Sequence, residues 1–402
     1  MFSSLKVREF RIYWVTMFLS LVGTWVQSIA QSWLVFKLTQ SPFLLGLVGF
    51  LGALPIAFFS LAAGVMVDRA VKRNILVMTQ AALMLLALIL AVLVHKGMIQ
   101  VWHIMVIAVL NGLVFSVDAP VRQSMVVDLA GKQHLFNAIT LNSAAFNLAR
   151  LIGPAIAGVL IAVIGMAGCF YINAASFIPL LIALFFIDPI MPAAKEKTAS
   201  FRDEVGEAIS FLGANKKLLA LLGVVAIFSM FGVAYIILMP IFAQDILAQG
   251  SKGFAVLMSM NGAGALAGVL NLARLKHSVS KNNILRVCVI IFCVSLMIFA
   301  LSGSFVLSSL MLFLAGFGGS SSLSLVNTLF QVSIPDNYRG RLMGVYCMMF
   351  MGLLPFGNIF AGLFAQLWNV QAVVFCGALL SLFFYFIVYE SRFVKRYDDF
   401  QH

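Results

Sequence analysis

The chain has 402 residues, 62% of them hydrophobic and only 10% charged, with a net charge of +12. A soluble domain carries about 25% charged residues, so this chain cannot hide its apolar surface from water, and lipid is the expected solvent. The positive balance does not mark a nucleic-acid binder, because the Lys and Arg residues sit in short connections between apolar runs and not on one soluble face.

A helix needs about 20 apolar residues to cross a bilayer. Twelve such runs follow one another, near 12–36, 43–67, 74–95, 101–118, 138–164, 168–187, 218–243, 254–274, 284–302, 306–330, 341–366 and 370–389. The basic start "SSLKVREFR" leads into the first run without a small-residue cleavage site, so no cleaved signal peptide is expected. The longest connection runs from Asp188 to Lys217. It is polar, holds Pro189 and Pro192, and contains an amphipathic segment near Phe201–Leu212. The expectation is an all-α integral membrane protein with twelve transmembrane helices, divided into six-helix bundles at 1–187 and 218–402 by a cytoplasmic linker at 188–217.

The basic residues alternate between connections. Lys6, Arg8 and Arg11 precede the first run, Arg69, Lys72 and Arg73 follow the second, and Lys216 and Lys217 precede the seventh, while the other side holds Lys37, Lys96 and Lys252. This bias places both termini in the cytoplasm. The five cysteines lie in apolar runs with no metal-ligand pair or disulfide framework, and read as small packing residues.

The halves echo each other. When "LAGKQHLFNAITLNSAAFNLARLIGPAIAG" is laid over "SIPDNYRGRLMGVYCMMFMGLLPFGNIFAG", Gly153 falls on Gly357 and Ala157-Gly158 on Ala361-Gly362. With the six-plus-six pattern this reads as a parallel repeat, an arrangement found in one large class of transporters.

Arg150 stands in the middle of the fifth run. It lies about 12 residues beyond Ala138, roughly 18 Å along a helix, near the centre of a ~30 Å hydrocarbon core. Facing lipid there costs at least ~2.5–3.5 kcal/mol, so the side chain is expected to face a partner or a wet cavity. Asp118, Asp188, Asp245 and Glu390 are all read at helix ends, which leaves no acid at its depth. Two readings stay open. Arg150 anchors an anionic group, since guanidinium forks onto carboxylates or catecholates, or it is a strut hydrogen-bonded between helices. Other polar residues in apolar runs are Gln27 and Gln31, one helical turn apart, then Asn111, Asn147, Tyr235, Asn261, Asn327 and Gln331. Polar groups in lipid are expensive and should point inwards. Each alone is also an ordinary interhelical contact. No phosphate-binding loop, zinc-protease motif or pair of catalytic carboxylates is present. The chain is therefore not read as an enzyme, and no cofactor or metal is expected.

The connection "GVMVDRAVKRN", with Gly64, Asp68, Arg69, Lys72 and Arg73, resembles the signature loop of the major facilitator superfamily, with Val71 where that family usually has a second glycine. "RQSMVVDLAGKQHLFNAITLNS", "FNLARLIGPAIAG" and "QSWLVFKLTQSPFLLGLVGFLGALP" resemble its exporter branch, which includes the enterobactin exporter and macrolide-efflux type proteins. The resemblance implies the major facilitator fold, two pseudo-symmetric six-helix bundles, with the first, fourth, seventh and tenth helices around a cavity. That favours Gln27, Gln31, Asn111, Tyr235 and Asn327 as substrate contacts beside Arg150 and Asn147. It implies a latch in which Asp68 meets the start of the eleventh helix near Gly340 and Arg341, and in which Arg69 and Arg73 reach an acid at the inner end of the fourth helix, Asp118. Plain positive-inside topology, with Asp68 a solvated loop acid, is the alternative. Ala149, Gly153 and Ala157 recur at four-residue spacing and "NGAGALAGVLN" is rich in small residues. The resemblance makes these a seam between the fifth and eighth helices, with Gly158 in it and Pro154 able to kink the fifth.

The function so implied is secondary active export of a small organic molecule by alternating access, proton-coupled, by a monomer in a bacterial-type inner membrane. The preferred substrate is an anionic siderophore-like metal chelator, because the one deep charge is positive. A polyspecific macrolide-like drug exporter is the alternative, and a non-transporting receptor or channel is an alternative of another class.

Overall fold

The computed structural model describes residues 3–67, 71–187, 210–274, 280–335 and 339–388. Among these it is helical almost throughout, and eleven stretches are long and apolar enough to cross a membrane. Three begin the chain: α1 (Arg8–Thr39), α2 (Pro42–Val67) and α3 (Lys72–His95). The stretch Val101–Ser176 departs from helical φ/ψ at Gly131 (φ 67) and Gly165 (φ 72). Left-handed φ is cheap only for glycine, and these two residues cut the stretch into α4 (Val101–Gly131), α5 (131–165) and α6 (165–185). Then follow α7 (Lys216–Ile246), α8 (Gly250–Arg274), α9 (Lys281–Leu301), α10 (Phe305–Val332), α11 (Arg339–Leu367) and α12 (Val370–Phe384). That makes twelve crossings, because 131–185 turns back at Gly165.

Local chemistry fixes several helix ends. Asn215 accepts from the Leu218 amide at 3.3 Å to start α7, and Asn369 accepts from the Ala372 amide at 2.6 Å to start α12. At α4 the Gln100 amide donates to His103 Nδ1 at 3.0 Å. Exposed Trp102 and Trp368 mark the membrane face opposite the N-terminus.

Two sequence expectations shift. The fourth helix does not stop at Ser116–Asp118 but runs on to Gly131, which moves Asp118 and Arg122 into a helix interior. The fifth helix keeps helical φ/ψ through Pro154, and the chain turns at the glycines instead. Pro154 still removes the N–H that would bond the Arg150 carbonyl. Of the linker expected at 188–217, residues 188–209 lie outside the described residues, as do Asp68, Arg69, Asp188 and Glu390.

The first six helices meet the last six along two equivalent seams, α5 on α8 and α2 on α11. The repeated glycines make both. A methyl at Gly158 would collide with Ala255 Cβ in α8, and one at its counterpart Gly362 would stand 2.6 Å from the Pro42 carbonyl in α2. Gly153, expected in the α5–α8 seam, packs inside the first half against Trp25 of α1, and Gly357 packs inside the second half against the Met230 carbonyl of α7. Each pair of repeat positions touches the equivalent helix, so the sequence echo corresponds to a spatial two-fold.

Cross-half contacts run from the middle of the bundle to the face opposite the N-terminus. Trp33 stacks on Phe254 with ring centroids 5.9 Å apart, Phe50 meets Phe356 edge-on at 5.8 Å, and Ser41 Oγ donates to Gln366 Oε1 at 2.9 Å. Among the described residues, these side-chain contacts join the halves on that face.

Candidate functional site

Arg150 lies near the midpoint of α5 and turns towards the other half. Its Nη2 donates to Asn261 Oδ1 of α8 at 3.2 Å. The Asn261 amide in turn donates to the Tyr235 hydroxyl of α7 at 2.6 Å and to the Leu312 carbonyl of α10 at 3.3 Å. Asn261 and Tyr235 are buried, at 2% and 6% exposure, whereas Arg150 stays partly exposed. Among the described residues no acid pairs with Arg150, and Asn261 is its one hydrogen-bond partner. The guanidinium has five N–H donors, and Asn261 takes one of them.

A second polar place is separate. Gln27, Gln31 and Asn111 line one cavity of about 290 Å³ between α1, α2 and α4, with Ile237 of α7 contributing from the other half. Thr24, Ser28 and Ser32 add hydroxyls, and Val35, Val48 and Phe115 add apolar wall. Gln27 is partly engaged, because its Oε1 accepts from Asn173 of α6 at 2.7 Å. Gln31 and Asn111 have no hydrogen-bond partner among the described residues. The cavity is lined without a charge, so it suits a ligand rich in neutral donors and acceptors.

Of the remaining expected contacts, Asn147 and Asn327 do not join these groups. Asn147 donates to the Ser143 carbonyl of its own helix at 2.8 Å. Asn327 accepts from Gln331 one turn along α10 at 2.5 Å, towards the face that carries the N-terminus. Tyr235 is held by Asn261, and its ring also forms part of an apolar groove of about 230 Å³ between α7, α11 and α12.

The latch expectation is corrected in part. Asp118 does not pair with Arg73. It is 1% exposed and takes Arg122 Nε of its own helix at 2.5 Å, Thr79 Oγ1 at 2.8 Å and Gln80 Nε2 at 2.6 Å. A carboxylate so satisfied inside the first bundle has no room for a loop arginine. Arg73 instead donates to the Ile187 carbonyl at 3.1 Å, and Lys72 pairs with Asp128 at 2.6 Å. Asp128, one residue type among many in a region read as a connection, is the acid that the sequence reading missed. Asp68, Arg69 and the Arg341 side chain lie outside the described residues.

Asn261, Asn173, Thr79 and Gln80 were likewise not singled out as partners. The usable signal for Asn261 is its position directly before Gly262. A Cβ at Gly262 would stand 2.8 Å from Leu151 Cα and 2.9 Å from the Arg150 carbonyl, so the glycine brings Asn261 within reach of Arg150.

Twelve crossings in two pseudo-symmetric halves define the architecture of the major facilitator type. The chain belongs to the family described as "Transmembrane secretion effector", which it matches over residues 1–400. It is 24% identical to the staphyloferrin A transporter of Staphylococcus aureus, over 94% of this chain and 96% of that one. It is 25% identical to the multidrug efflux pump Tap of Mycolicibacterium fortuitum, over 87% of each. In fold it is similar to a bacterial homologue of the lysosomal transporter Spinster, in an inward-facing and occupied conformation, with a TM-score of 0.74 at 13% identity over 96% of this chain and 97% of that chain. The chain is thus a multi-pass membrane protein and an efflux transporter of small molecules.

Proposed function

We propose that this transporter exports an anionic, metal-chelating small molecule of the siderophore type, with Arg150 holding its anionic group. The observation that carries the reading is the Arg150 guanidinium, mid-helix, with one neutral hydrogen-bond partner and no acid among the described residues. Structural arginines at such depth are ordinarily matched by acids or several carbonyls, because an uncompensated charge there is costly. Gln31 and Asn111 would take the neutral donors and acceptors of the same cargo. The likeness to a siderophore transporter supports the substrate class.

The positive-inside bias puts the N-terminal face in the cytoplasm of the inner membrane. The halves are joined on the opposite face, so the arrangement is the cytoplasm-facing one in which an exporter loads. Transport then proceeds by alternating access, with 1–187 and 218–402 rocking about the two glycine seams, coupled to protons and carried out by the monomer. A second reading, export of amphiphilic drugs with Arg150 as a strut, is favoured by the Asn261 bridge and by the likeness to a multidrug pump.

The test is flux in reconstituted vesicles, with anionic chelators and with neutral or cationic amphiphiles, the pH gradient on and off, for wild type and Arg150→Gln. Chelator flux that the folded variant loses, while drugs move in neither protein, supports the anchor. Drug flux that is equal in both proteins refutes it. Chelator flux unaffected by the pH gradient removes the proton from the scheme.

A further inference from the structure

Arg73, freed from the expected pairing with Asp118, has a different environment. It lines a crevice of about 220 Å³ with Asn74, Val77 and Met78 of α3 and Leu184 and Phe185 of α6, at the N-terminal face. The mouth of the crevice is apolar and turned outward, since Met78 is 71% and Phe185 73% exposed. Large apolar side chains at that exposure on a membrane-spanning bundle face hydrocarbon. At the head of the crevice Arg73 spends one N–H on the Ile187 carbonyl and has no acid partner among the described residues. Its neighbour Lys72 pairs with Asp128, whereas no acid among the described residues pairs with Arg73. A cation with spare donors stands at the membrane surface, an amide beside it, and an apolar slot runs from it into the bilayer.

We infer that the crevice between α3 and α6 binds an anionic phospholipid, with its phosphate on Arg73 and Asn74 and one acyl chain between Met78 and Phe185. Charge and apolarity complement the two parts of such a lipid in the right order with depth. A soluble anion would match only the head of the site, and a neutral lipid only its slot. The inference stands apart from the substrate assignment, because the crevice opens to lipid and not to the space between the halves.

The experiment is native mass spectrometry of the purified full chain with palmitoyl-oleoyl phosphatidylglycerol or with phosphatidylcholine of the same chains. Wild type is expected to retain phosphatidylglycerol preferentially. One basic residue at an anionic membrane surface corresponds to about a fivefold change, ~1 kcal/mol. Arg73→Gln is therefore expected to lower phosphatidylglycerol retention about fivefold and leave phosphatidylcholine unchanged, while Arg73→Lys keeps most of the preference. Val77→Trp, which fills the slot, is expected to lower retention of both lipids. Inorganic phosphate at equal concentration is expected not to displace the lipid. Equal retention of the two lipids by wild type overturns the inference, as does full retention by Arg73→Gln or displacement by phosphate alone. If Arg73→Gln does not fold, the wild-type preference and the Val77→Trp result still decide.

Discussion

Gly262→Ala tests whether the α5–α8 seam sets the balance between conformations. The new Cβ would stand 2.8 Å from Leu151 Cα and 2.9 Å from the Arg150 carbonyl, and both are backbone atoms that cannot rotate away. Carbon contacts are comfortable at about 3.5–4.0 Å, so α5 and α8 must part by roughly 0.5–1 Å at this level. Overpacking of this kind costs ~1–3 kcal/mol. The cost falls on the arrangement in which these helices touch, so it moves the population towards the alternative by about 5–150-fold. Spin labels at Lys37 and Gln244 report the change, since both are exposed and line one cavity at the opposite face, on α1 and α7. Pulsed electron–electron distances in liposomes are expected to gain a longer population in Gly262→Ala. Gly344→Ala, where nothing lies within 4 Å of the added methyl, is expected to leave the distances as in wild type. A folded Gly262→Ala protein with the wild-type distribution would mean that α8 shifts locally, and the seam argument fails.

Two further outcomes follow from the buried polar groups. Asp118→Asn leaves Arg122, 8% exposed, without its counter-charge, and removal of one partner of a buried pair costs about 3–5 kcal/mol. Thermal unfolding in detergent should show a large loss, while Lys72→Gln, which breaks a more exposed pair with side-chain exposures of 14% and 21%, should cost less. Equal losses would show that the first bundle does not depend on the Asp118 cluster. Asn261→Leu strands the buried Tyr235 hydroxyl at about 1–3 kcal/mol but releases the Arg150 guanidinium. Chelator binding should survive it, and a loss of binding as deep as that of Arg150→Gln would assign the anchor to the bridge and not to the other donors of Arg150.

What the sequence revealed depended on whether a signal was local. Apolar runs marked the crossings because lipid imposes one length on all of them. Gly158 stands in the α5–α8 seam that the resemblance implied, because close helix approach tolerates little else, whereas the α2–α11 seam at Gly362 was marked only by the repeat. The end of α4 was misread for a physical reason. Asp118 and Arg122 look like loop residues to a hydropathy count, yet they stand four apart on one helix and cancel each other. That spacing was visible in "DAPVR" and could have kept the helix going. The pairing of Lys72 with Asp128 had no such mark, since any nearby acid satisfies a loop lysine equally well on paper. Gln27, Gln31 and Asn111 converge on one cavity because inward-facing polar groups on neighbouring helices have few other places to go. The direction of Arg150 could not be read, because both a cavity and a neighbouring helix would satisfy the need to leave lipid.

Those two answers are not exclusive, and the geometry makes them compete. Arg150 gives one donor across the halves to Asn261, at the level where Gly262 brings the α5 and α8 backbones together. Asn261 is a neutral acceptor, and a carboxylate or catecholate accepts more strongly from a guanidinium. On the proposed reading, an arriving anion therefore draws Arg150 away from Asn261 and removes a contact that joins the halves on the closed side. A ligand shifts a conformational equilibrium only by its differential affinity for the two states, and here the difference is the hydrogen bond across the seam that the cargo replaces. A strut that is released by the cargo couples loading to opening, which a strut locked by an acid could not do.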